Sequence, residues 1–260
     1  MIRVENLSLE YRKGEPVLEN VSFQVKAGQF VSLIGQSGSG KTSILRAIAG
    51  LQKPSKGKVV VEDLTSRVGF LFQDDALLPW RTVRENVSLG LRIQGEKTDI
   101  ANKKADDWLE KLSLFEIGDR YPSQLSGGQR KRVAIAQVLA LHPKIILMDE
   151  PFASLDAIVR TKITQELIEW VEQEGITVLL ITHDLEEAIS LSDIVHVLSP
   201  GPRAYIKASH PVSIPRPRDI LETRHDSSFP GLLKTLWNEL VGEKQKINVV
   251  NFNKQKKVTS

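Results

Sequence analysis

Two kinds of hydrophobic periodicity divide the chain. Near the N-terminus, apolar and polar residues alternate over 2–9 and 21–26, which predicts two strands of an antiparallel sheet. Further along, short runs that are apolar throughout alternate with helical patterns, which predicts a parallel sheet with crossover connections. The remaining predicted strands are Phe30–Ile34, Val59–Val61, Val68–Phe72, Ile145–Met148, Thr177–Ile181 and 194–198.

Helical periodicity is concentrated between residues 82 and 140. We interpret this stretch as a helical subdomain inserted into an α/β core. It contains the predicted helices Thr82–Ile93, Asp99–Leu112 and Gly128–Ala140; others are Lys41–Ala49, Asp156–Gln173, 184–191 and Phe229–Leu240. The Pro- and Arg-rich segment 209–220 is expected to be an extended connector. We expect residues 1–240 to form one domain, with the helical subdomain at about 82–140, and 241–260 to be a disordered basic tail.

Composition narrows the class of protein. The chain has 260 residues, 41% of them hydrophobic and 26% charged, which is ordinary for a soluble globular protein. It has no cysteine, no apolar run long enough to span a bilayer and no apolar N-terminal region, so we expect a cytoplasmic protein. The net charge of +3 comes from 243–260, which hold five lysines and one glutamate. A basic tail can bind nucleic acid or anionic lipid, but we interpret this one as a solvated, frayed terminus.

A glycine-rich loop connects the strand Phe30–Ile34 to the helix that follows. It fits the pattern G-x-x-x-x-G-K-[ST], in which backbone N–H groups and the helix dipole hold phosphates. We expect Lys41 to reach the β- and γ-phosphates and Thr42 to bind Mg²⁺. The loop consists of Gly35, Gln36, Ser37, Gly38, Ser39, Gly40, Lys41 and Thr42.

A second anion-binding helix start lies in the helical stretch. Ser126 and Gln129 have the S-x-x-Q spacing of a capping box, and two glycines leave N–H groups open to an anion. The phosphates of one nucleotide need only one anion-binding helix start, and the loop 35–42 already supplies it. The helix start at 126–129 therefore calls for another explanation. The segment consists of Leu125, Ser126, Gly127, Gly128 and Gln129.

Two carboxylates end the apolar strand Ile145–Met148. A strand beside the phosphate loop would bring Asp149 to the Mg²⁺ shell, with Glu150 placed to polarise an attacking water as general base. A solvated acidic turn before Pro151 is the alternative, but the fully apolar strand argues against it.

Three further side chains lie at strand ends. The Gln73 amide oxygen can bind Mg²⁺ and water, although a single glutamine is more often a surface residue. His183 ends a central strand, where open α/β sheets place ligands, and can hold the attacking water. Tyr11 can stack on adenine or simply pack on its sheet. The other histidines, His142, His196, His210 and His225, are interpreted as structural.

The ordered set of motifs resembles the ATP-binding cassette (ABC) ATPases over roughly residues 2–240. The motifs are the loop 35–42, Gln73, Leu125–Gln129, Asp149-Glu150, Ser154-Leu155-Asp156 and His183. The resemblance implies a P-loop NTPase fold with a mostly parallel core sheet, an antiparallel β-subdomain and an inserted helical subdomain.

The resemblance also implies a role for each motif. Tyr11 would stack on adenine, Gln73 would link Mg²⁺ to the helical subdomain, and His183 would be the switch histidine. Ser154, Leu155 and Asp156 would form the D-loop, which crosses to a partner subunit. Two cassettes would pair head to tail, and the signature segment 125–129 of one would close on ATP held by the other. ATP and Mg²⁺ would be the ligands, with Asp149 reaching the metal through water.

A narrower resemblance is to the nitrate/sulfonate/taurine-type import ATPases, a branch that also includes bicarbonate importers. It is carried by 75–87, by Asp149-Glu150-Pro151-Phe152 with Leu155-Asp156-Ala157, and by 214–219. It implies an importer ATPase on the cytoplasmic face of the inner membrane, with permease subunits and an extracytoplasmic solute-binding protein. Trp80 and Arg81 would transmit motion to the permease.

The chain departs from the family at two places. Gln137 stands where the family usually has arginine, which removes a charge but no catalytic group. The stretch between Val61 and Val68 is shorter than usual, which trims a surface turn.

Two other functions remain open at this stage. One is a soluble ABC ATPase acting on nucleic acid or ribosomes. The basic tail is the only feature in its favour, and we expect no nucleic-acid partner. The other is a regulatory module that binds nucleotide without hydrolysis, which the intact Lys41, Gln73, Glu150 and His183 argue against.

Overall fold

The computed structural model describes residues 1–61 and 68–241. Two expectations lie outside these residues: the shortened turn between Val61 and Val68, and the disordered tail, apart from its first residue.

The smaller sheet is antiparallel and has the strand order β2–β1–β4. Its strands are β1 (Ile2–Arg12), β2 (Glu15–Val25) and β4 (Lys56–Val61). The predicted antiparallel pairing of β1 and β2 is confirmed. Both strands are longer than the periodicity predicts, because they continue into a tight hairpin at Gly14, whose φ of 85° suits glycine.

The larger sheet is the α/β core, with the strand order β5–β6–β7–β3–β8–β9. The first five strands in this order are parallel, as predicted, and β9 is antiparallel to β8. The strands are β3 (Phe30–Ile34), β5 (Val68–Leu71), β6 (Ile145–Asp149), β7 (Thr177–Ile181), β8 (Ile194–Leu198) and β9 (Ile206–Pro211).

The prediction of an extended connector over 209–220 is wrong at its start, because 209–211 belong to β9. This strand is half-buried, pairs on one side only and ends in Pro211. An edge strand tolerates proline, since its outward N–H groups need no partner. Its polar, proline-terminated sequence therefore does not have the apolar signature of a central strand.

Seven α-helices surround the sheets within the described residues. The helix α4 begins with the predicted capping box of Ser126 and Gln129, while Thr82 and Asp156 cap α2 and α5. None of these helices is long and apolar enough to cross a bilayer. They are α1 (Lys41–Ile48), α2 (Val83–Ile93), α3 (Thr98–Lys111), α4 (Gly127–Leu139), α5 (Ala157–Gln173), α6 (Leu185–Leu191) and α7 (229–241).

The two faces of the parallel sheet carry separate hydrophobic cores. Ile146 and Val178 belong to a core shared with α2, α3, α4 and α5. Their chain neighbours Ile145 and Leu179 belong to a core shared with α1 and the antiparallel sheet. Because adjacent strand residues point to opposite faces, α1 and α4 lie on opposite sides of the sheet. The division into a helical subdomain at about 82–140 and an α/β core stays a prediction.

Candidate nucleotide-binding site

The register of the parallel strands brings the predicted site residues to one edge of the sheet. Leu71 lies opposite Met148, and Ile181 lies opposite both Asp149 and Leu33. Gln73, Glu150, His183 and the loop 35–42 therefore all leave the sheet at its carboxyl edge, where open α/β sheets bind ligands.

The loop 35–42 has the backbone of an anion cradle. Gly38 and Gly40 have φ angles of 78° and 85°, in the left-handed region that glycine adopts without strain. Gly40 also begins α1, which has no side-chain cap. A Cβ on Gly40 would lie 2.8 Å from Leu18 Cδ2, so the loop needs glycine for packing as well. The first N–H groups of α1 are thereby left available to phosphate oxygens.

Lys41 is buried and lies across this loop. Its Nζ donates to the carbonyls of Gly35 at 2.8 Å and Gln36 at 3.1 Å. An ammonium has three N–H donors, so one remains for a phosphate oxygen. Burial lowers the pKa of Lys41, against the opposing influence of the Glu150 and Asp149 carboxylates.

Thr42 and Asp149 form a pair of oxygen ligands that fits Mg²⁺. Thr42 Oγ1 donates to Asp149 Oδ1 at 3.2 Å. Mg²⁺ usually keeps several of its waters, so Thr42 Oγ1 could bind the ion directly while the neighbouring Asp149 carboxylate holds one of its waters. Burial raises the pKa of Asp149, although the Thr42 hydrogen bond favours the charged form.

Glu150 and His183 form the second pair of the site. His183 Nδ1 lies 2.9 Å from Glu150 Oε2, and the His183 side chain is largely exposed. Glu150 has a φ of 44°, an unusual conformation for a residue with a side chain. Its N–H donates to the carbonyl of Ile181 at 2.9 Å, which anchors this turn to β7.

The signature segment 125–129 begins α4 with its polar groups toward solvent. Ser126 Oγ accepts from Gln129 N at 3.2 Å, and Gln129 Oε1 accepts from Ser126 N at 2.9 Å. Leu125 anchors the segment in the core, whereas Ser126 is exposed. A Cβ on Gly128 would lie 2.8 Å from Val159 Cγ1, so this glycine allows α4 to approach α5 closely.

The other predicted site residues are outside these two pairs. Tyr11 exposes half of its side chain, and its hydroxyl is 2.9 Å from Ser43 Oγ on α1. Gln73 is exposed, and no side-chain hydrogen bond of Gln73 is found within the described residues. In the predicted D-loop, Ser154 and Asp156 are exposed, whereas Leu155 is buried. The structure thus brings together Thr42 with Asp149 and Glu150 with His183, but not Gln73 with either pair.

Comparison with known families gives a clear result. A family model described as "ABC transporter" matches residues 18–153. The chain belongs to the ABC transporter family. The ABC family thus accounts for the joint presence of the phosphate loop and the signature segment in one chain.

Individual ABC proteins are similar over most of the chain. The nitrate import ATP-binding protein NrtC of Synechococcus elongatus is 39% identical over 234 residues, covering 86% of this chain and 35% of its own length. The chain therefore spans about a third of that relative. The probable sulfate/thiosulfate import ATP-binding protein CysA of Chlorella vulgaris is 41% identical over 208 residues, covering 77% of this chain and 88% of its own.

A solved ABC structure has the same fold. The dimeric post-hydrolysis structure of the ATP-binding cassette MJ0796, bound to ADP and Pi, covers 82% of this chain and 100% of its own, with a TM-score of 0.73 and 34% identity. The architecture described above is that of an ABC cassette.

The helix α7, the last helix among the described residues, reaches the phosphate loop. Gln36 Nε2 donates to the carbonyl of Leu240 on α7 at 2.8 Å. Two residues of β9 hold the same turn: Lys207 donates to the Glu239 carbonyl at 2.9 Å, and His210 lies 3.1 Å from the Glu239 carboxylate. The end of α7 is therefore fixed at the rim of the nucleotide site.

Sequence reasoning missed several residues that shape the site. Lys131 on α4 is fully buried and binds the segment after β5, and Asn86 on α2 is buried among the carbonyls of 78–82. Neither has a local motif, because a lysine or asparagine on a polar helix face is typical of a surface. The structural interpretation of His196 is supported: burial lowers its pKa to about 4, and its ring packs on Phe23.

Proposed function

We propose that the chain is the ATP-hydrolysing subunit of an ABC importer. It would couple ATP binding, dimer closure and hydrolysis to solute uptake through a separate membrane permease. The observation that carries the enzymatic part is the pair of contacts beside the phosphate loop, Thr42 with Asp149 and Glu150 with His183. Together they supply oxygen ligands for Mg²⁺ and a carboxylate with an orienting imidazole.

The residues divide the work between phosphate binding and proton transfer. Lys41 and the N–H groups of 38–42 would hold the β- and γ-phosphates. Thr42, Gln73 and Asp149, the last through water, would hold Mg²⁺, which neutralises charge on the phosphate oxygens. Tyr11 would stack on adenine.

Glu150 would take the proton of the attacking water. When His183 carries its proton on Nδ1, it donates to Glu150 and fixes the orientation of the carboxylate. The anchored backbone of Glu150 limits its movement further, so the base is held in place before the nucleotide arrives.

The position of the signature segment supports a site shared between two copies. The helix α4 packs on one face of the sheet, and α1 with the phosphate loop packs on the other. Ser126, Gly127 and Gly128 would therefore act on ATP held by a second ATPase subunit arranged head to tail, with Ser154 and Asp156 at the crossing. An isolated monomer would bind ATP and hydrolyse it poorly.

A groove on the helical side supports a permease partner. Its volume is about 250 Å³, and it lies between β5, α2 and α4. Ile93 is 77% exposed at its edge, Phe72 is 42% exposed, and Gln137 lines its wall in place of the usual arginine. Trp80 is 71% exposed on the nearby loop. Apolar groups exposed in this way mark a protein contact.

The relatives support a proposal for the kind of transport. Nitrate, bicarbonate and sulfate import ATP-binding proteins are all similar to this chain. We propose import of a small oxyanion or sulfonate-type solute at the cytoplasmic face of the inner membrane, with an extracytoplasmic solute-binding protein in the same system. The nucleic-acid alternative has no support among the described residues, because the basic tail that suggested it lies outside them.

The first experiment replaces the proposed base. Glu150→Gln should retain ATP binding, accumulate as a dimer when ATP is added, and hydrolyse ATP roughly 10²–10⁴-fold more slowly. Glu110→Gln, an exposed carboxylate on α3, is the control and should behave like the wild type. Unchanged hydrolysis in Glu150→Gln would show that Glu150 is not the base.

A second experiment tests the importer assignment. The chain, isolated from membranes of its own cells, should co-purify with an integral-membrane permease. Recovery with ribosomes or DNA instead would replace the importer by the nucleic-acid function.

A further inference from the structure

Lys131, on the second turn of α4, has a fully buried side chain. A buried ammonium is stable only when its three N–H donors are all satisfied. Its acceptors are the carbonyl of Phe72 at 3.3 Å, the carbonyl of Gln73 at 3.2 Å and Asp75 Oδ1 at 2.8 Å. All three belong to one short segment, 72–75, so a charged side chain of α4 is devoted to this segment.

A second cation extends the connection to the start of α4. Arg130 Nε lies 3.4 Å from Asp75 Oδ2, and Arg130 Nη1 donates to the carbonyl of Leu125 at 2.7 Å. Asp75 thus contacts two successive basic residues of the helix. The segment 72–75 is held against the same helix end that carries the signature.

The contacts to Gln73 involve its backbone and leave its side chain exposed. Lys131 therefore holds the backbone of Gln73 in place. It leaves the side-chain amide, which would face Mg²⁺, free of this contact. An arrangement of this kind resembles the outer shell of a metal site, in which a neighbouring group orients the ligand.

We propose that Lys131 is a positioning residue that fixes Gln73 relative to the signature segment. This inference rests on the proposed function. In a head-to-tail dimer, Gln73 faces the ATP of its own chain, and Ser126 faces the ATP of the partner. Because Lys131 joins the two within one chain, the Mg²⁺ ligand of one site and the signature of the other move together.

The proposal is tested through Mg²⁺, with binding as the readout. We would measure the affinity of a non-hydrolysable ATP analogue as Mg²⁺ is added. Lys131→Gln should raise the Mg²⁺ concentration at half-maximal effect roughly 10-fold, as loss of an outer-shell partner typically does, and leave binding without Mg²⁺ unchanged. The matched control is Lys104→Gln, which removes a lysine paired with Glu96 at 2.6 Å on the neighbouring helix α3. It should leave the Mg²⁺ dependence as in the wild type.

A double-mutant cycle separates positioning from general stability. In a Gln73→Ala background, Lys131→Gln should shift the Mg²⁺ requirement no further, because its effect acts through Gln73. Additive shifts, or a Lys131→Gln variant with the same Mg²⁺ dependence as Lys104→Gln, would overturn the proposal.

Two further results are distinguishable. If Lys131→Gln does not fold, the same measurement is made on Asp75→Asn, which changes the partly exposed partner of Lys131. This variant should shift the Mg²⁺ requirement in the same direction. Wild-type protein that binds no ATP analogue at all would contradict the proposed function itself, whereas a normal wild type with unaffected variants contradicts only the role of Lys131.

Discussion

Two glutamates near His183 have very different surroundings. Glu150 contacts the imidazole directly at the open edge of the sheet. Glu187, on the first turn of α6, is partly buried, and burial raises its pKa to about 7 despite a hydrogen bond from Thr182. The Thr182 hydroxyl also accepts from Asp184 N at 3.0 Å, so these groups hold the turn that carries His183.

Glu187 should make stability depend on pH. Its pKa in the folded state is raised, so its contribution to stability is present at low pH and is lost as the pH rises through about 7. Glu187→Gln cannot ionise and should therefore gain on the wild type by about 2 kcal/mol in unfolding free energy between pH 5 and pH 8. Urea unfolding at several pH values measures this. The charged neighbours Asp184, Arg160 and His183 stay in place in both proteins.

The control for this prediction is Glu186→Gln, on the same turn but more exposed and paired with Arg224. Glu186→Gln should show the same pH dependence of the unfolding free energy as the wild type. If Glu187→Gln shows that same dependence too, the prediction is wrong.

At this scale, sequence predicts the residues of local motifs and misses those defined by long-range contacts. Asp149 ends a strand, and Glu150 and His183 come just after strands. Thr42 is in the first turn of a helix, so all four positions can be predicted from local pattern. Lys131 depends on carbonyls 58 and 59 positions away in the chain. No local periodicity records such a contact.

Helices and strands, too, are predicted from the sequence when local residues determine them and missed when distant contacts do. The helix starts at Thr82, Ser126 and Asp156 are predicted within a residue, because capping is local chemistry. The edge strand β9 is missed, because only its pairing with β8 makes it a strand. Hydrophobic periodicity is thus most informative where an element is buried.

The two glycines of the signature differ in how closely they are packed, because only one of them lies against α5. A Cβ on Gly128 would lie 2.8 Å from Val159, whereas a Cβ on Gly127 would meet nothing closer than Arg130 at 3.8 Å. Without nucleotide, Gly128→Ala should destabilise the protein by about 1–3 kcal/mol, and Gly127→Ala should be neutral or slightly stabilising. Thermal unfolding of both variants measures the difference. Equal stabilities would mean that α4 and α5 are packed less tightly than described.

This difference also decides which glycine should be replaced to test whether the signature segment acts on the ATP of a partner subunit. A bulky residue at Gly128 would disturb its own chain, so loss of dimer closure there has two explanations. Gly127 offers the cleaner position, because its surroundings in the free chain are open.

At the scale of the whole molecule, Asp193 joins the C-terminal segment to the central strand. Its carboxylate accepts from Phe30 N, the first residue of β3, at 2.9 Å, and it binds Arg216 and Arg218 of the proline-rich segment. Arg218 is buried and also donates to the carbonyls of Ser192 and Ile214. The strand that ends in the phosphate loop is therefore fixed at its other end by residues nearly two hundred positions later.

Arg218 should accordingly matter more than its neighbour. Arg218→Lys leaves buried carbonyls without donors and should cost about 3 kcal/mol in unfolding free energy. Arg216→Lys, at a more exposed partner of the same carboxylate, should cost less than about 1 kcal/mol. Chemical denaturation compares the two, and a similar cost for both would show that burial of Arg218 contributes nothing.

The contact between Gln36 and Leu240 has a practical consequence for anyone who handles this protein. Because α7 reaches the rim of the phosphate loop, a bulky group or a fluorophore attached at residue 241 would lie close to the nucleotide site. A bulky group at that position is expected to interfere with ATP titrations. A small environment-sensitive dye at the same place would instead report occupancy of the site, without a label on any residue proposed to touch the ligand.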